Sequence, residues 1–289
     1  MTNPPDALAS TLHHTLEASS ASGVGLTLAG GYGLLLRQTH AVPDERYLVD
    51  QVEWPPIRPT RDIDIFVLPA AVADWDRMQR FASELDSRGF SRPPHDAAEN
   101  FRVPHRATGV MLDLLMGPAG EYRTRIRIND ARRSARPQAP PNTTTDTALR
   151  LSLAPEALDV DRSVLLHTDS GQQVPVASTF TWTMMMLHVI GDVLAGSKAS
   201  YREDREAHLA KRSVDLFRNI AMLTRVEEDA FSEACSRHRD DPAFSTAAAL
   251  ACAHVLPLDG LARRSFLSSR IGSAAIDRVA GVLEDHLCT

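Results

Sequence analysis

The chain has 289 residues, 43% of them hydrophobic and 24% charged, with a net charge of -6. That length suits two domains, and the composition excludes disordered, collagenous and repeat-built proteins. The acidic balance argues against a general nucleic-acid binder, and no stretch approaches the ~18 uncharged apolar residues of a membrane helix.

The opening MTNPPDALAS has no basic region followed by an apolar one, so it does not read as a signal peptide, and the expected location is the cytoplasm. Asp6 to about Ser20 predicts a helix with Leu8, Leu12 and Leu16 on its apolar side. GVGLTLAG is a short apolar strand that ends at Gly30-Gly31, and YGLLLRQTH continues as a helix. Residues 42–59 are polar and proline-rich at their end, so they read as an irregular insertion or a hairpin. TRDIDIFVLP alternates as a strand does, with Ile63, Ile65 and Val67 on one face and Asp62, Asp64 and Phe66 on the other. Residues 70–89 predict an amphipathic helix ending at Gly89, and NFRVPHRATGVMLDLLMGP predicts a hairpin whose second strand is Val110–Met116.

Glu121 to Pro137 holds six arginines (123, 125, 127, 132, 133 and 136) against Glu121 and Asp130. Alternation would set Arg123, Arg125 and Arg127 on one strand face, either as a solvated surface or as a phosphate-contacting track for an RNA acceptor. Residues 139–147 read as a loop, and 163–178 as a second hairpin turning at Asp169-Ser170-Gly171. From Thr179 onward the pattern is helical, so the expected division is an α/β domain over 1–178 and a mostly helical domain over 179–289.

Cys235, Cys252 and Cys288 are far apart and form no CxxC pair, so the expectation is neither a zinc site nor a disulfide framework. Of the 31 basic residues only Lys198 and Lys211 are lysines, and they lie in one region.

Asp62 and Asp64 share a strand face with their Cα atoms about 7 Å apart. Two carboxylates so placed repel unless a cation lies between them, and a hard ion such as Mg²⁺ or Mn²⁺ prefers such oxygens together with substrate phosphates. Asp113, an isolated acid in the apolar run VMLDLLM, is the candidate third ligand of a metal clamp. The junction at Gly30-Gly31, where a strand opens into a helix, presents backbone N–H groups suited to a nucleotide phosphate.

The series LAGGYGLLL, RPTRDIDIFV and VMLDLLM resembles the nucleotidyltransferase fold of the DNA polymerase β superfamily. Within it, the likeness is to the AbiEii-type toxins of bacterial toxin–antitoxin and phage-defence systems, including the mycobacterial MenT proteins. The resemblance implies an α+β domain with a mixed sheet followed by a helical domain, with the active site in the cleft between them. It implies that Gly30 and Gly31 hold the triphosphate, that Asp62, Asp64 and Asp113 bind Mg²⁺ or Mn²⁺, and that a nucleotide passes from an NTP to an acceptor. By the same resemblance the acceptor is RNA, such as a tRNA 3′ end, or a protein hydroxyl, and a cognate antitoxin is a partner. Thr60-Arg61 matches the family's run before its paired aspartates, which adds Arg61 to the nucleotide-binding set.

WTMMMLHVIGD and AKRSVDLFRNIAML resemble two later helices of the family, and the likeness spans roughly residues 24–225. Two departures stand out. Gly31 and Asp62 are 31 positions apart, longer than the superfamily's usual spacing, with residues 42–59 as the insertion, and Met186 stands where the family has a lysine. Lys198 or Lys211 is the candidate replacement charge. His208, Lys211 and Asp215 would share a helix face, either as a surface i,i+4 ion pair or as a nucleotide-contacting set. His188 and Asp192, on the Met-rich helix, read as core or capping residues. Two other functions fit the same residues: a small-molecule nucleotidyltransferase of the aminoglycoside-modifying type, favoured by an acidic pocket, and a non-catalytic module that keeps the fold.

Overall fold

The protein, seen in a computed structural model, is described over residues 4–42, 45–56, 58–91, 101–130, 133–141, 143, 148–168, 171–268 and 271–288. It is a mixed α/β protein whose chain forms two compact units, residues 1–36 with 58–177, and residues 37–57 with 178–289. Residues 37–57 group with the helical unit and not with the segment on either side of them. No helix among the described residues is long and apolar enough to cross a membrane.

In the first unit, helix α1 (Pro4–Ser22) leads to strand β1 (Leu26–Ala29) and helix α2 (Gly30–Thr39), then β2 (Asp62–Val67), α3 (Pro69–Val72) and α4 (Trp75–Ser87). The expected single helix over 70–89 is therefore two. Asp74 sits between them in extended backbone, and its side chain accepts from the Arg77 N–H, capping α4. Seven more strands follow: β3 (Arg102–Pro104), β4 (Met111–Met116), β5 (Ile126–Asn129), β6 (Ser134–Pro137), β7 (Leu151–Leu153), β8 (Val164–His167) and β9 (Gln173–Val176). Among the described residues they build one nine-stranded mixed sheet, ordered β5-β6-β7-β4-β2-β1-β9-β8, with β3 paired to β4. The turn at Asp169-Ser170 and most of the 142–147 loop lie outside the described residues.

Alternation along β2 and β4 decides which face is apolar. Ile63, Ile65, Leu112, Leu114 and Met116 point into one core with Leu8 and Leu12 of α1 and Met78, Phe81 and Leu85 of α4. Each such fully buried side chain contributes about 1.5–3 kcal/mol. The opposite face starts polar at Asp62 and Asp64 and turns apolar at Phe66, which is fully buried.

The predicted arginine strand is corrected. Residues Gly120–Arg125 form a 3-10 helix, and the strand begins only at Ile126, so Arg123 and Arg125 share no strand face with Arg127. Gly120 at the start of this turn has a positive φ of 50°, which ends any extended run there. Arg132 lies outside the described residues.

The second unit holds α5 (Thr179–Ala195), α6 (Ala199–Glu203), α7 (Arg205–Ala221), α8 (Arg225–Arg237), α9 (Pro242–Leu250), a π-helical turn (Ala251–Val255), α10 (Leu261–Ser268) and α11 (Ser273–Leu287). Side chains and glycine fix several of these helix ends. Ser178 caps α5, Gly196 ends it in left-handed backbone, and Thr224 with Glu227 forms a capping box on α8. Residues 37–57 are tied to this unit through backbone bonds from Leu48 to Leu223 and from Val49 to Ala221, and through an Arg278–Glu53 ion pair. The cysteine expectation is also corrected: Cys252 and Cys288 form a disulfide across 36 positions, with Cα atoms 6.4 Å apart, and only Cys235 is a free, buried thiol. Sequence spacing gave no sign of it because the π-helical turn and the end of α11 meet only in the folded unit.

Candidate functional site

Three neighbouring strands bring the first unit's candidates into one row. Antiparallel pairing of β1 with β2 sets Ala29 opposite Asp64, and parallel pairing of β2 with β4 sets Asp64 opposite Asp113. Helix α2 starts at the next residue after Ala29, so the Gly30-Gly31 turn, Asp64 and Asp113 lie side by side at the sheet's polar face. Asp62 sits two residues before Asp64 on that face, opposite Met111.

Gly30 is required by this arrangement. Its φ is +61°, and a Cβ placed on it would lie 1.7 Å from Asp64 Oδ2. The carboxylate therefore rests directly against the helix start, and no side chain larger than hydrogen fits between them. Gly31 is less confined: a Cβ there would meet the Thr60 hydroxyl at 3.2 Å and an Arg58 Nη atom at 3.5 Å. The first-turn N–H groups of α2 have no intrahelical partner and carry the positive end of the helix dipole.

The carboxylates have protein partners of their own. Asp62 Oδ1 accepts from the Thr60 hydroxyl at 2.8 Å. Asp113 Oδ1 accepts from Arg102 Nε at 2.9 Å, because β3 and β4 pair with Arg102 opposite Asp113. Among the described residues no group of three or more His, Cys, Asp or Glu side chains stands gathered to hold a metal ion. The donor set still suits one, since three hard carboxylates on one half-exposed sheet face match the preference of Mg²⁺ or Mn²⁺ for oxygen ligands.

Arg61 is exposed, whereas Arg58 reaches the Gly-Gly turn. Sequence reading named Arg61 from the motif and missed Arg58 and Arg102. The hairpin register could have found Arg102; nothing in the local pattern marked Arg58.

The second unit holds the remaining candidates. Met186 is buried in α5 and belongs to that helix's core side. Asp215 is 1% exposed and accepts from Arg218 Nη1 at 3.0 Å, while Arg218 Nη2 donates to the Pro56 carbonyl at 2.5 Å. Lys211 is half-buried one turn earlier on α7. His208 packs edge-on against Tyr201 with ring centroids 5.0 Å apart, and the exposed Lys198 ammonium lies 5.3 Å from the same ring. His188 Nε2 bonds the Ala243 carbonyl at 2.9 Å, tying α5 to α9, and Asp192 lies partly buried in the last turn of α5.

No model of a known protein family matches this chain, and no curated protein matches it significantly.

Proposed function

We propose that the protein is a metal-dependent nucleotidyltransferase that moves the NMP part of an NTP onto an RNA acceptor such as a tRNA 3′ end. The observation that carries this reading is the row of Gly30, Asp64 and Asp113 across three strands, with the Asp64 carboxylate against the start of α2. It puts an anion-binding helix start beside paired carboxylates, which is what holding a triphosphate and a divalent ion together requires. Its role as the toxin of a toxin–antitoxin or phage-defence system, with a cognate antitoxin as partner, rests on the resemblance of LAGGYGLLL, RPTRDIDIFV and VMLDLLM. An NTP substrate also argues for the cytoplasm, where a structural disulfide such as Cys252–Cys288 is uncommon.

In this reading Asp62, Asp64 and Asp113 hold Mg²⁺ or Mn²⁺, which when bound supplies charge neutralisation and a lower pKa for the acceptor hydroxyl. The Gly30 and Gly31 amides, with Arg58 and Arg61, bind and orient the phosphates. Thr60 keeps Asp62 in place, and Arg102 holds Asp113 until substrate arrives. The acceptor oxygen bonds to the α-phosphorus, the bridging bond to the β-phosphate breaks, pyrophosphate leaves with the electron pair, and the hydroxyl proton goes to solvent. Lys198, Lys211 and Asp215 have no step in this scheme. Positioning and charge neutralisation supply most of the acceleration.

Calorimetry tests it. NTP binding should need Mg²⁺ or Mn²⁺ and disappear in Asp62→Ala and Asp64→Asn; equal affinity in the variants and in EDTA overturns the reading. Labelled NTPs with total RNA should label RNA, and label on a small hydroxylated molecule alone would move the protein to the aminoglycoside-type alternative. Expression in a bacterium should arrest growth, and the Asp64→Asn variant should not.

A further inference from the structure

Two of the chain's three cysteines meet at the surface of the second unit. Cys252 sits in the π-helical turn, Cys288 ends α11, and both are exposed. The third, Cys235, is fully buried in α8, where burial pushes its thiol up to about 12. Thiol exchange needs an accessible sulfur and a thiolate that attacks or leaves. The Cys252–Cys288 bond meets the first condition, and Cys235 meets neither.

Sulfur is not what anchors the two joined elements. The π-helical turn is held by buried Ala251 and Val255, and α11 by buried Ile276, Val279 and Leu283. Arg263, itself buried, donates to the Leu256 carbonyl at 2.8 Å and to Asp277 Oδ1. That ties the end of the π-helical turn to the first half of α11 without a covalent bond. The disulfide adds a clasp between the same turn and the last turn of α11. Two backbone bonds lie beside it: the Leu256 N–H donates to the Ala251 carbonyl at 3.0 Å, and the Cys288 N–H to the Glu284 carbonyl at 3.1 Å. Element ends open more readily than packed interiors, so these two bonds are the ones that opening the clasp loosens.

We propose that Cys252 and Cys288 form a reversible thiol-exchange site, a redox clasp that a low-molecular-weight thiol opens and the corresponding disulfide closes. In opening, the small thiolate bonds to one protein sulfur and the Cys252–Cys288 bond breaks. Its electron pair leaves on the other sulfur, which takes a proton from solvent. A second small thiol attacks the mixed disulfide, releasing the second protein thiol and a small-molecule disulfide. Two small thiols are oxidised as the protein bond is reduced, and closing runs the same steps backwards. A reducing compartment holds the clasp open, and oxidising conditions close it. The site uses neither NTP nor metal, so it stands or falls independently of the transferase reading.

The test is incubation of the intact protein with reduced or oxidised glutathione, followed by maleimide labelling and hydrogen exchange under native conditions. Reduced protein should be labelled at Cys252 and Cys288 and not at Cys235, and oxidised protein at none of them. The Leu256 and Cys288 amides should exchange about tenfold faster when the clasp is open, with β2 and the middle of α5 unchanged. Cys252→Ser and Cys288→Ser should each keep the faster exchange in either form of glutathione and take up one glutathione on the remaining sulfur, read by mass. Thermal melts check that both variants fold. A bond that glutathione opens only in denaturant, or thiols that stay labelled in oxidised glutathione, overturns the proposal. So does opening that changes no amide, or that speeds exchange throughout the unit.

Discussion

Asp64 and Asp215 are both acidic residues inside apolar patterns, yet the two units treat them differently. In the second unit Asp215 is buried against Arg218, and nearby Arg37 donates to Thr179 at 2.9 Å, Asn219 at 3.2 Å and Glu227 at 2.6 Å. Asn219 in turn donates to the Thr179 carbonyl and the Thr183 hydroxyl. These charges are matched one for one in a buried network, which is how a protein tolerates charge in its interior. In the first unit Asp62, Asp64 and Asp113 stand together on one half-buried sheet face, with Arg102 donating to Asp113. The contrast is one of burial: Asp215 is enclosed with its basic partner, whereas the first unit's three acids share a half-buried strand face.

The largest expected effect breaks the closed network. Arg37→Ala removes the cation from half-buried Glu227 and the donor to Asn219 Oδ1, and should lower unfolding stability by about 3 kcal/mol, read from the urea midpoint. A loss under about 1 kcal/mol would mean that the second unit's charges are not a matched interior network. Gly30→Ala comes next. Strained left-handed backbone costs about 1–3 kcal/mol, and the new Cβ must displace the Asp64 carboxylate, so NTP binding should vanish with a moderate stability loss. Asp64→Asn sharpens the comparison from the other side: it keeps the side chain's shape against Gly30, so stability should fall less than in Arg37→Ala while NTP binding is lost. If Asp64→Asn destabilised the protein as Arg37→Ala does, the two regions would be alike after all.

The smallest effect concerns pH. His105 is buried in the first unit, near His14 Nδ1 at 3.2 Å, Thr108 Oγ1 at 2.9 Å and the Arg88 carbonyl at 3.1 Å. Burial lowers its pKa; the Arg88 carbonyl opposes this, and His14 and Arg106 add to the lowering. The unfolded chain therefore binds the proton more readily, so this contribution to stability is complete above about pH 6.5 and is lost as pH falls toward the folded value. His105→Gln should remove that part of the acid-side slope in thermal melts; an unchanged slope would show that His105 does not set it.

Period and punctuation made much of the molecule legible in the sequence. Alternation set Ile63 and Ile65 against Asp62 and Asp64, and glycines marked the β1–α2 junction. These signals are local, because side-chain direction repeats every two residues in a strand and every 3.6 in a helix. The two-helix break at Asp74 and the 3-10 turn before Ile126 were lost for the same reason, since alternation of arginines mimics a strand whatever the backbone does.

What the tertiary structure alone decided are the partners brought from elsewhere in the chain. Arg37 meets Glu227 across 190 positions, Cys252 meets Cys288, residues 37–57 join the helical unit, and Arg136 is flanked by Arg127 and Arg150 through strand register. Sequence determines which face of each element is polar. Which polar faces then come together depends on strand pairing and long-range packing, and those are set by the burial of the whole core and not by any local pattern.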